Sequence, residues 1–86
     1  MLDVFYKPTF TKQYKAFHES LKLEVKEKIA LFRSDPVHPF LKTHKLHGIF
    51  RDKWSFSVNY KYRIVFQYLS KNEVVLLAVG DHEIYK

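Results

Sequence analysis

Apolar residues along this chain change period partway, and the change marks out the elements. From Phe10 they recur at helical spacing, as Phe10, Tyr14, Phe17 and Leu21 followed by Val25, Ile29 and Phe32. From Trp54 they alternate. Trp54, Phe56 and Val58 interleave with Ser55, Ser57 and Asn59, and then Tyr62, Ile64, Phe66 and Tyr68 interleave with Arg63, Val65, Gln67 and Leu69. Alternation of this kind is the mark of a strand with one buried face. Leu2 to Tyr6 is rich in strand formers and predicts a first strand. Pro8 and Thr9 punctuate after it, with Thr9 as the candidate helix N-cap. The helical pattern is long for so small a chain, and His18-Glu19-Ser20 offers a break, so two antiparallel helices are expected. Asp35-Pro36 ends the second, because a residue before proline is pushed out of the α region. Pro36 to Gly48 reads as a loop, and Val74 to Val79, apolar on both faces, as an interior strand.

Turn positions and patterns agree with one another. With Asn59 to Lys61 as a turn, Phe56 faces Ile64 and Trp54 faces Phe66, and Ser57 falls beside Arg63 on the other face. With Ser70-Lys71-Asn72 as the next turn, Arg63 lies opposite Val79 or Gly80. The predicted class is α+β: an N-terminal strand, a two-helix hairpin and a three-stranded antiparallel meander, all in one sheet. The 86 residues suit a single domain spanning 1–86. One Trp, six Tyr and eight Phe provide the bulk that a thin core needs.

Composition then narrows the chemistry. Cysteine is absent, which removes disulfides and thiolate metal sites, and the five histidines form no metal-ligand spacing, so no metal and no cofactor is expected. No apolar run reaches the ~20 residues of a membrane span, and the amino terminus does not resemble a signal peptide; a soluble, cytoplasmic protein is expected. The net charge of +6 favours an anionic partner. Its distribution is informative: Lys42, Lys45, Arg51, Lys53, Lys61 and Arg63 face a single acid, Asp52, between positions 42 and 63, with His44 and His47 beside them. Glu19 to Lys28 interleaves acids and bases and reads as a solvated helix surface. The meander brings Arg63, Ser57, His82 and the loop carrying His44 toward one end of the sheet. Imidazoles, a strand-borne arginine and a basic surround are the groups that hold a phosphodiester and move protons at neutral pH, which points to RNA. Arg63 has a plainer alternative, a pairing with Asp52 or Asp81, and Trp54, Phe56 and Val58 read as core.

The order of parts resembles the RelE/ParE superfamily of bacterial type II toxins, over essentially the whole chain. The resemblance is carried by Lys42-Thr43-His44-Lys45-Leu46-His47-Gly48, by Trp54-Ser55, by Tyr62-Arg63-Ile64-Val65-Phe66 and by Gly80-Asp81-His82. Trp-Ser followed by Arg-Ile-Val-Phe is similar to the YoeB branch, while Lys-x-His-x-Leu-x-Gly and the late Gly-x-His are similar to YafQ. The resemblance implies a RelE-like fold and a nuclease that enters the ribosomal A site and cuts the messenger RNA there. It also implies an antitoxin, expected to be acidic and to cover the basic surface in a heteromeric complex. Carried over by residue, Arg63 matches the arginine on the scissile phosphate, His82 the late histidine that acts as general acid, and His44 the loop histidine used in YafQ-type catalysis, with His47 as the substitute. Two positions depart from the pattern. Phe40 stands where the YoeB branch has its catalytic glutamate, and Lys61-Tyr62 where YafQ-type enzymes carry an acid.

The mechanism so implied needs no metal. The ribose 2′-hydroxyl attacks the phosphate, a base removes its proton, a cation holds the phosphorane, and an acid protonates the departing oxygen. His44, Arg63 and His82 are the expected catalytic residues, and Lys42, Lys45, Arg51, Lys53 and Tyr85 the expected RNA contacts. Two other functions remain open on this reading: a ParE-like inhibitor of DNA gyrase, and an inactive relative that only binds an antitoxin.

Overall fold

The computed structural model describes residues 1–81. Strand β1 (Asp3–Tyr6) leads into helix α1 (Pro8–Lys15) and helix α2 (Glu19–Ser34); a two-residue strand β2 (His44–Lys45) follows, then β3 (Trp54–Ser57), β4 (Arg63–Ser70) and β5 (Glu73–Gly80). The strands form one mixed sheet in the order β1-β5-β4-β3-β2, with β1 parallel to β5 and the other pairs antiparallel. The expected α+β order of elements is present, and β2 extends the expected sheet by a fifth strand. A strand of two polar residues carries no alternation, which is why the segment from Pro36 to Gly48 reads as loop. Two 3-10 turns, Pro39–Leu41 and Gly48–Phe50, flank β2.

The helices break at Ala16 to His18, so of the predicted His18-Glu19-Ser20 only His18, the N-cap of α2, lies in the break, and Glu19 and Ser20 open the helix. The start of α1 differs. Lys7 is the N-cap and Pro8 opens the helix, so Thr9 is already inside the first turn. Proline suits that place, since its missing N–H would have had no intrahelical partner. Val25, Ile29 and Phe32 form the buried face of α2. Phe32 stacks on Phe56 at 4.2 Å and meets Phe66 edge-on at 4.8 Å, fastening α2 across β3 and β4. Helix α1 buries Phe10, and Gln13 Oε1 accepts a 2.8 Å hydrogen bond from the Val79 N–H, tying α1 to the end of β5.

The predicted register of the β3–β4 hairpin is present: Trp54 opposite Phe66, Phe56 opposite Ile64, Ser57 opposite Arg63. Between β4 and β5 the register shifts, with Phe66 opposite Leu76 but Val65 opposite Ala78. The extra residue on β5, Leu77, is a bulge. It returns Val79 to the core opposite Ile64 and sets Gly80, rather than Val79, opposite Arg63.

Candidate RNA-binding cleft

Leu41 is fully buried and anchors the loop after α2, leaving its neighbours Phe40 and Lys42 exposed on either side. Lys42 takes a left-handed backbone conformation, φ 51°, to close the Pro39–Leu41 turn. His38 Nδ1 accepts from the Phe40 N–H, and Thr43 Oγ1 donates to the Pro36 carbonyl at 2.6 Å, so the loop is braced at both ends. Beside it, the β3–β4 turn is closed by Asn59, whose Oδ1 accepts from the N–H groups of Lys61 and Tyr62 at 2.9 and 2.8 Å. The Asn59 side-chain amide also donates to Glu24 of α2.

These elements surround a cleft of about 590 Å³. Helix α2 supplies Glu24, Glu27 and Lys28, the loop supplies Pro39, Phe40 and Lys42, and β3 with its turn supplies Ser57, Val58, Asn59 and Tyr60. Arg63, at the start of β4, completes the lining. Its guanidinium is half-buried and donates through Nη1 to Ser57 Oγ at 3.3 Å and to the Asn59 carbonyl at 3.4 Å. Both acceptors are neutral, so they orient the group without cancelling its charge. Asp52 is not its partner. That carboxylate accepts from Lys53 Nζ and Gln67 Nε2, both at 3.1 Å, and the Lys53 hydrogen bond holds its pKa below the usual carboxylate range.

His44 lies on the same sheet face as Arg63, outside the cleft lining. It pairs with Ser55, which pairs with Val65, one row along from the Ser57–Arg63 pair. Two strand spacings across and two residues along give a Cα separation of roughly 12 Å, near enough for both side chains to meet one nucleotide. His44 Nδ1 lies 2.8 Å from the Lys42 carbonyl. A carbonyl only accepts, so Nδ1 carries the proton in the neutral ring and Nε2 carries the lone pair. His47 heads the second 3-10 turn, further from Arg63, and its side chain makes no capping hydrogen bond.

Of the expected RNA contacts, Lys42 lines the cleft, whereas Lys45, Arg51 and Lys53 do not. Lys45 pairs with Trp54 and so shares its side of β2, opposite to that of His44. Arg51 lines a separate depression with Gly48, Ile49 and Asp52. Lys53 is held by Asp52. His82 and Tyr85 lie outside the described residues; β5 ends at Gly80, opposite Arg63. Among the described residues no His, Asp or Glu group is arranged to hold a metal ion, and no helix is long and apolar enough to cross a membrane. Sequence reasoning missed Glu24, Glu27, Lys28, Asn59 and Tyr60. The helix residues look like solvated surface, and the bond joining Asn59 to Glu24 spans 35 positions, a separation at which one sequence carries no signal.

A family profile described as the ParE-like toxin of type II bacterial toxin-antitoxin systems matches residues 4–86. The chain belongs to this family. Its place in the RelE/ParE superfamily therefore stands on sequence as well as fold. No curated protein matches it by sequence. Among solved structures, this ParE-like toxin is similar to YafQ of E. coli strain BL21(DE3), at 17% identity and a TM-score of 0.79 over 99% of this chain and 98% of that one. It is similar to the YoeB-YefM complex of Staphylococcus aureus, at 17% identity and 0.76 over 95% and 98% of the two chains. The DinJ-YafQ toxin-antitoxin complex of E. coli matches at 18% identity and 0.76 over 96% and 94%. At these identities the likeness is one of fold.

Proposed function

We propose that this ParE-like toxin is a metal-independent endoribonuclease that cuts messenger RNA in the ribosomal A site. The observation that carries the reading is the pairing of an oriented cation with a tautomer-fixed imidazole on one sheet face. Arg63 is held by Ser57 and the Asn59 carbonyl, and the Nδ1 of His44 is committed to the Lys42 carbonyl. His44 Nε2 takes the proton of the ribose 2′-hydroxyl, whose oxygen attacks phosphorus. The Arg63 guanidinium donates to the non-bridging oxygens as charge develops on them. His82, which follows Gly80 by two positions, protonates the 5′-oxygen as its bond to phosphorus breaks. The products are a 2′,3′-cyclic phosphate and a 5′-hydroxyl. DNA is not cut, because it lacks the nucleophile. Lys42, Lys45 and Arg51, with Lys53 and Tyr85 in lesser roles, bind the surrounding RNA.

The partner in the resting state is an acidic antitoxin. YoeB and YafQ both occur in complexes with a second protein, YefM and DinJ respectively, and the net charge of +6, with Lys42 and Arg63 in the cleft, suits a partner bearing carboxylates.

Primer extension on a translated message tests the reading. Cuts inside codons are expected with the wild-type protein and are lost when Arg63 or His82 becomes alanine. Cutting that survives both substitutions defeats the proposal. The ParE-like family description favours a second reading, inhibition of DNA gyrase. Loss of supercoiling in a purified gyrase reaction, with messages left intact, would establish that instead.

A further inference from the structure

Tyr60 is 94% exposed at the tip of the β3–β4 turn, and Phe40 is 73% exposed beside Leu41. Both are walls of the cleft that holds Arg63. Among the described residues neither ring belongs to the hydrophobic core. Among the described residues Tyr60 packs on no other ring, and Phe40 meets only the His38 imidazole, edge-on at 4.9 Å. Leu41 is the plug that ties the loop to the core, and Asn59 is the residue that closes the turn. Two large apolar rings left in water in one cleft with an arginine therefore call for a ligand that combines flat apolar faces with a negative charge.

A single-stranded nucleic acid has that form. Its phosphate meets the guanidinium, and its unstacked bases offer π-faces to the rings. The charge pattern of the cleft agrees. Glu24 and Glu27 outnumber Lys28 on the α2 wall and leave it net negative, which disfavours a second phosphate there, while Lys42 and Arg63 attract the first. An uncharged base can lie against the acidic wall where backbone cannot. We infer that Phe40 and Tyr60 are nucleobase-stacking residues, gripping the bases that adjoin the phosphate held at Arg63. The inference rests on the ribonuclease reading for its occupant, RNA, and adds which part of the strand these rings take.

The test separates base from backbone. Fluorescence anisotropy at low salt compares two short 2′-O-methyl RNA strands that cannot be cut and carry equal charge, one complete and one with abasic positions at its centre. The wild-type protein is expected to prefer the complete strand. Phe40→Ala and Tyr60→Ala each reduce that preference about fivefold or more, the scale of one lost stacking contact, while Phe40→Trp and Tyr60→Trp retain it. Arg63→Ala weakens both strands alike. Since both rings are exposed, the alanine variants keep the wild-type Tm, so a loss of binding is not a loss of fold. Equal binding of the two strands by the wild type, or a preference that survives both alanine changes, overturns the inference and assigns the rings to a protein partner. Because the strands are uncleavable, a base preference that depends on these rings in a protein that leaves messages intact would remove the nuclease reading alone.

Discussion

A single hydrogen bond decides what His44 can do. With Nδ1 donating to the Lys42 carbonyl, the neutral ring is a base at Nε2, and the loop geometry and the chemistry are coupled through one side chain. His44→Asn separates them. The asparagine amide can still donate to that carbonyl, so the loop holds, but no base remains. Single-turnover cutting is expected to fall by about 10²- to 10⁴-fold, the range of a lost general base, with Tm unchanged. Lys42 poses a similar question at its backbone. A non-glycine residue at φ 51° bears a strain of roughly 1–2 kcal/mol. Lys42→Gly relieves it, against a loss of about 0.5–1 kcal/mol through the freer unfolded chain. Urea unfolding should therefore show stability unchanged or slightly raised, while RNA affinity falls because the cleft has lost a cation. A large drop in stability would show that the lysine stem, and not its charge, matters at this position.

The tie between α2 and the β3–β4 hairpin runs through Asn59, which bonds Glu24, two turn N–H groups and, by its carbonyl, Arg63. Asn59→Ala leaves the half-buried Tyr62 N–H without its side-chain acceptor and should cost about 1–2 kcal/mol, seen as a lower urea midpoint at constant slope. Cutting should fall by more than this loss of fold accounts for, since the turn carrying the Arg63 acceptor loosens. That arrangement illustrates what one sequence does and does not disclose. Alternation from Trp54 to Leu69 specifies the hairpin register down to the Ser57–Arg63 pair, because a slip of one residue would turn Phe56 and Ile64 to the wrong face. The helix break near His18 is legible for a different reason, since the apolar period runs on through it and only the length of the pattern and the polar His18-Glu19-Ser20 mark it. The Leu77 bulge is not, since a run apolar on both faces reads alike in either register, and so the choice between Val79 and Gly80 opposite Arg63 needs the structure. Strand β2 and the acidic wall of the cleft are equally hidden. The first is two polar residues long, and the second depends on where α2 crosses the sheet. The role of His82 rests on the sequence resemblance and that of Tyr85 on the chemistry of its ring alone, as both lie outside the described residues.

At the scale of the whole molecule the surplus of positive charge is unevenly usable. The net charge is +6, yet two acids line the cleft, and Lys53 is paired with Asp52 at 3.1 Å. A depressed carboxyl pKa means that Asp52 stays ionised down to lower pH than an ordinary aspartate. The Asp52 carboxylate therefore keeps its charge beside Lys53 and offsets it, until acid protonates Asp52. Binding to single-stranded RNA should then draw on Lys42, Lys45, Arg51 and Arg63. Each phosphate neutralised on a single strand steepens the dependence of log K on log salt by about 0.7, so four contacts predict a slope of roughly −3. Lys42→Ala is expected to flatten the slope by about 0.7, and Lys53→Ala to change it little, because removing that ammonium also frees the Asp52 carboxylate and shifts the local charge against RNA without removing a phosphate contact. Affinity should drop for Lys53→Ala while the slope stays. If the slope changed equally for both variants, Lys53 would have to leave Asp52 for a phosphate on binding, and the ion pair would be a resting arrangement that RNA displaces.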